Sequence, residues 1–184
     1  MNLTLRGHRR SIRLPGRDYA QSGAYFVTIC TDHARLTFGD VLDDRMVPND
    51  AGRIVEQEWA RSASIRDEIE LDAFVVMPNH VHGIVIIKGD LLESSHKPSG
   101  RGGPARQSLG ATIAGFKAAT TRRIRLHKGA AELAVWQRNY YERIVRHERE
   151  LIAIREYIAD NPRKWAQDPN HPTRAINRLA PLRR

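Results

Sequence analysis

Two apolar runs, Ile69 to Met77 and His80 to Ile87, are separated by Pro78-Asn79, a dipeptide that favours a tight turn. They predict an antiparallel hairpin. On its second strand His80, His82, Ile84 and Ile86 point one way and Val81, Gly83, Val85 and Ile87 the other. Both sets are largely apolar, so this strand belongs in the middle of a sheet that is covered on both faces.

The remaining segments supply partners for that strand. Tyr25 to Thr31 is rich in β-branched and aromatic residues and predicts a buried strand. Leu36 to Val41 and Arg45 to Val47 predict a small hairpin, and Pro48-Asn49 caps a helix over about Asp50 to Arg61. A second helix is expected over Ser108 to His127, with Leu109, Ile113, Phe116 and Ile124 on its buried stripe. Val135 to Val145 predicts a fourth strand. Glu148 to Asp160 predicts a third helix, with acids in its first turn, Leu151, Ile154 and Ile158 inward, and Asn161-Pro162 to end it. The order strand, helix, strand, strand, helix, strand implies an α+β fold, a ferredoxin-like antiparallel sheet, with an extra hairpin and an added C-terminal helix.

Charge divides the chain more sharply than hydrophobicity does. Of 184 residues, 30 are Lys or Arg and 21 Asp or Glu, a net +9. Residues 1–20 hold five Arg and one Asp, and residues 161–184 hold five Arg, one Lys and one Asp, so these ends carry the whole net charge. The expected organisation is a basic tail over 1–20, one domain over 21–165 and a second basic tail over 166–184, with a Gly- and Pro-rich mobile loop at 94–107. Basic ends on a neutral domain suit a polyanion. Candidate phosphate contacts are Arg9, Arg10, Arg13 and Arg17, then Lys117, Arg122 and Arg125 on the second helix, and Arg163 and Lys164. No apolar run approaches the roughly 20 residues of a membrane span, no signal peptide is visible, and the single Cys30 forms no internal disulfide. A cytoplasmic protein is expected.

Several catalytic patterns fail. Gly100 to Pro104 lacks the Lys-Ser/Thr of a phosphate loop, and His147-Glu148 has Leu151 where a zinc protease needs its second histidine. What survives is His80-Val81-His82. Side chains at i and i+2 share a face about 7 Å apart at their bases, so both imidazoles can converge on one ion. Two histidines alone make a weak site and need a third ligand; ordinary polar residues at a strand end look the same. Tyr157 and Asn161 lie one turn apart on one side of the last helix, beside its apolar stripe. A phenol there is a core aromatic or a nucleophile able to attack a phosphodiester. Tyr140 and Tyr141 are rivals by residue type.

These residues, in VVMPNHVHGIV, GAYFVTICT, GFKAATTRRI and WQRNYYERIVRHERELIAIREYIADNPRKW, resemble the HUH-type single-strand DNA transposases over about residues 8–165. Within that group the sequence is similar to the REP-associated tyrosine transposases of bacteria. The resemblance implies that His80 and His82 bind a divalent metal, Mg²⁺ or Mn²⁺, that Asn161 is a third ligand, and that Tyr157 forms a 5′-phosphotyrosine link. It implies single-stranded DNA with a hairpin as substrate and a monomer or homodimer as the acting form. Imidazoles alone would equally suit Mn²⁺ or Zn²⁺. The rival function is a catalytically idle repressor or RNA-binding module on the same sheet.

Overall fold

A computed structural model describes residues 22–88 and 108–173. Residues 1–20, with Arg9, Arg10, Arg13 and Arg17, the 94–107 loop and residues 174–184 lie outside the described residues.

Among the described residues six strands and three α-helices follow one another as β1 (Gly23–Cys30), β2 (Gly39–Leu42), β3 (Arg45–Pro48), α1 (Asp50–Ser64), β4 (Ile69–Met77), β5 (His80–Ile87), α2 (Leu109–Lys128), β6 (Tyr141–Val145) and α3 (Glu148–Asp160). The main sheet has the order β4-β5-β1-β6, every pair antiparallel, and β2-β3 forms a separate ribbon. This is the split βαβ arrangement of a ferredoxin-like fold.

Strand β5 is central, and its two faces feed two cores. Val81, Val85 and Ile87 pack with Val27, Ile29, Trp59, Ile113 and Phe116 beneath α1 and α2. Ile84 packs with Phe26, Ile154 and Ile158 beneath α3. The histidines share the parity of Ile84 and therefore face α3.

Helix α3 is fastened at both edges of the sheet. Glu150 pairs with Arg143 on β6, and Arg155 holds Asp72 on β4 through two hydrogen bonds of 2.9 and 2.6 Å. Asp72 sits at a bulge between Leu71 and Phe74, which turns its carboxylate toward the helix. His147 caps α3, its Nδ1 accepting from the Glu150 amide at 3.1 Å.

Three expectations shift. The fourth strand begins at Tyr141 rather than Val135, because the carbonyls of Gln137, Arg138 and Asn139 all accept from Lys117 Nζ at 2.8, 3.3 and 3.1 Å instead of from a neighbouring strand. The small hairpin starts at Gly39 rather than Leu36, because the amides of Thr37 and Phe38 donate to Pro78 O, drawing Phe38 into the core. Its turn is Asp43-Asp44, both left-handed at φ 49 and 62, as a two-residue hairpin turn requires. The expected tail over 166–184 does not begin at 166. A 3-10 turn at Trp165–Gln167 folds the chain back, and Asp168 is buried.

Candidate metal and tyrosine site

The turn before β5 is held from three directions. Thr31 N donates to Asn79 O at 2.9 Å, the Asn79 side-chain amide donates to Ala34 O and Asn170 O at 3.2 and 2.8 Å, and Asn79 Oδ1 meets His80 Nδ1 at 2.8 Å. Because the amide nitrogen is committed to two carbonyls, Oδ1 can only accept, so the His80 proton sits on Nδ1 and Nε2 presents a lone pair. His82 is held in the same orientation by its own Nδ1, 2.9 Å from Thr28 Oγ1, a hydroxyl able to accept the Nδ1 proton.

The two Nε2 atoms thus point at one another, 3.0 Å apart, from side chains that are wholly buried. That spacing is what neighbouring ligands of one six-coordinate ion show when bonds are about 2.1 Å. Asp168 Oδ2 lies 3.9 and 4.0 Å from them, and the potential ligand atoms of His80, His82 and Asp168 all fall within 4.8 Å of one another. Burial, together with the adjoining imidazole of His82, pushes His80 down to about 3, and burial pushes His82 down. Burial alone would raise the Asp168 carboxyl; His82, His80 and the Asn170 amide at 2.6 Å overcome it and hold the group well below the usual carboxylate range. The site therefore presents two neutral imidazoles and one carboxylate, a donor set suited to a divalent cation.

Tyr157 brings its Oη to 3.2 Å from His82 Nε2, and its ring meets Phe26 edge to face at 6.0 Å. Burial and then the Asp168 charge push the phenol up to about 12, while the Asn161 amide acts the other way. Asn161 follows α3 with helical angles, φ −58 and ψ −43, so Pro162 ends the helix without swinging the side chain away. It is buried, donates from Nδ2 to Asp168 Oδ2 at 3.3 Å, and leaves Oδ1 with no hydrogen-bond partner among the described residues. An orphaned buried oxygen on a side chain that is bonded to Asp168 fits a bound cation. His80, His82, Tyr157 and Asn161 are thus gathered at one place.

No family model matches the chain. An uncharacterized protein of Haemophilus influenzae is 39% identical over 170 residues, which span 88% of this chain and 92% of its own. The two belong to one family. The solved structure of a REP-associated tyrosine transposase bound to a REP hairpin superposes with a TM-score of 0.55 at 19% identity, covering 83% of this chain and 73% of that one. This chain has the transposase fold.

Within that fold the remaining expected residues spread out. Tyr140 packs against the core on the α1 and α2 side, and Tyr141 stands exposed on β6. Lys117, Arg122 and Arg125 line a groove between α2 and the 129–138 segment, on the side of the sheet away from the histidines. Lys117 is half-buried on its three carbonyls and pushed down to about 8 by burial, and Arg125 Nε donates to Leu133 O at 2.9 Å. Arg163 and Lys164 stay exposed just past the site, both beside Asp160. Asp168 is the functional residue that sequence reasoning misses. Its signal is its isolation, a lone acid among five Arg and one Lys over residues 161–184.

Proposed function

We propose that this chain cuts and rejoins single-stranded, hairpin-containing REP-like DNA through a 5′-phosphotyrosine link at Tyr157, with Mg²⁺ or Mn²⁺ bound. The observation that carries the reading is the placement of Tyr157 Oη at 3.2 Å from His82, whose Nε2 converges with that of His80. The hairpin-bound transposase of the same fold supports the substrate class.

His80, His82 and Asp168, with the free Oδ1 of Asn161, would hold the cation, which when bound polarises the scissile phosphate and draws off its charge. Asn79 and Thr28 hold the two Nδ1 atoms and so keep both Nε2 atoms aimed inward. Phe26, stacked on His82 at 5.4 Å, fixes the imidazole and backs the Tyr157 ring. The attack makes one Oη–phosphorus bond and breaks one phosphorus–O3′ bond, and the phenolic proton ends on the departing 3′-hydroxyl. A phosphodiester is exchanged for a phosphodiester, so the strand can be passed to another 3′-hydroxyl without an external energy source.

Incubation with labelled single-stranded hairpin DNA and Mn²⁺ tests this, read as a protein–DNA adduct on a denaturing gel. Tyr157→Phe is expected to abolish the adduct and keep DNA affinity. His80→Ala and His82→Ala are expected to abolish it and weaken Mn²⁺ binding. Turnover of a model phosphodiester with no adduct would replace this reading by simple hydrolysis.

A further inference from the structure

Tyr141 opens the edge strand β6 directly opposite Thr28. Opposed residues of an antiparallel pair share a face, and Thr28 Oγ1 is bonded to His82, so the Tyr141 ring lies on the histidine side of the sheet. Phe26 joins it to the site: the Phe26 ring stacks on His82 at 5.4 Å and meets Tyr157 at 6.0 Å and Tyr141 at 6.4 Å, both edge to face.

Helix α3 covers only the far end of β6, where Glu150 pairs with Arg143 and Leu151 packs in the cluster that includes Val145. At the near end no described residue is laid over Tyr141, which keeps 44% of its surface exposed beside the 39% of Tyr157. Residues 138–146 hold three Arg and one Glu on a chain of net charge +9, and one of these cations, Arg143, is paired with Glu150. An aromatic ring backed by a second ring and open to solvent is how proteins seat an unpaired base.

We propose that Tyr141 is a stacking platform for the nucleotide base next to the scissile phosphate. The inference rests on the cleavage reading above and adds to it the feature that favours an unpaired strand, since a base already stacked in a duplex has no face to offer. Stacking tolerates any base, so the platform sets strandedness and position rather than sequence.

The test uses the full-length chain and single-stranded oligonucleotides carrying 2-aminopurine at successive positions around the cleavage point. Tyr141→Phe is expected to keep wild-type affinity and base quenching. Tyr141→Leu retains an apolar contact for Phe26 and lacks the ring, and is expected to lose about 5- to 150-fold in single-strand affinity, the range for one stacked base, together with quenching at one position. Tyr141→Leu binding within twofold of wild type with quenching unchanged overturns the platform, as does an adduct that maps to Tyr141. The cleavage reading fails separately, if wild-type protein with Mn²⁺ gives no adduct while position-specific quenching by Tyr141 persists.

Discussion

Alanine at position 83 would drive a methyl group into the indole of Trp59. A Cβ built on Gly83 lies 2.4 Å from Trp59 Cζ2, 2.8 Å from Cη2 and 3.2 Å from Phe74 Cδ2, against about 3.5–4.0 Å for comfortable carbon contacts. The indole has nowhere to go, since it stacks on Phe74 at 4.5 Å and 11° and meets Phe116 edge on at 5.2 Å. Overpacking of this kind costs about 1–3 kcal/mol, and the upper half of that range is expected because two further rings must move. For a chain of this length about 3 kcal/mol corresponds to a Tm lower by roughly 6–12 °C. The methyl would enter the core on the α1 and α2 side, opposite the imidazoles, so Mn²⁺ affinity measured well below the Tm should stay within about twofold. Urea denaturation of Gly83→Ala, Trp59→Leu and the double variant checks the cause. The double variant should cost less than the two single changes together by about 0.5–3 kcal/mol, as contacting residues do. Gly83→Ala with a midpoint like that of wild type, or additive costs in the double variant, would refute the steric account.

Asp168→Asn keeps the shape of the carboxylate and removes its charge; Mn²⁺ affinity by calorimetry should fall about 10- to 100-fold, the range seen when a group supporting a metal site is removed, and an unchanged affinity would confine Asp168 to holding the Asn161 and Asn170 amides. In metal-free protein the His80 pKa lies near 3, below its value of about 6.5 in the unfolded chain, so the unfolded state binds the extra proton between those limits and stability falls as pH drops. From pH 6.5 to 5 the loss from His80 is about 2 kcal/mol, with His82 acting in the same direction and Asp168 adding only below about pH 3.8; denaturant melts at pH 7.5 and 5 that coincide would contradict it. Replacing Arg9, Arg10, Arg13 and Arg17 by alanine should make the slope of log affinity against log salt shallower by up to about 2.8, at roughly 0.7 for each single-strand phosphate left without its cation, and an unchanged slope would assign phosphate binding to other residues.

The sheet and most of the candidate site were legible for one reason: their residues obey a period. Alternation places His80 and His82 on the Ile84 face, helical spacing places Tyr157 and Asn161 beside Ile154 and Ile158, and the two periods meet because both apolar stripes need the same partner. The bounds of β4, β5 and α3 follow from the same signals, sharpened by the Pro78-Asn79 turn and the acids after His147. What failed has no period. Residues 135–140 have strand-like side chains, yet the backbone carbonyls of Gln137, Arg138 and Asn139 are claimed by a lysine on α2, a tertiary contact that composition does not announce. Asp168 reaches the histidines from a turn, placed by the Trp165 carbonyl and the Asn170 amide. Thr28 and Asn79 act through the far nitrogens of the imidazoles, which becomes visible only once strand register is known.

The two-residue step between β6 and α3 has a consequence for stoichiometry. Val145 ends the strand and Glu148 begins the helix, so the chain that presents His80 and His82 also delivers Tyr157 to them. On the proposed reading each centre is built from one chain. A population in which half the chains carry His80→Ala and half carry Tyr157→Phe then contains no complete centre, and mixing the two inactive variants should restore no adduct at any protein concentration, whereas a centre shared between two chains would recover about a quarter of its sites on random pairing.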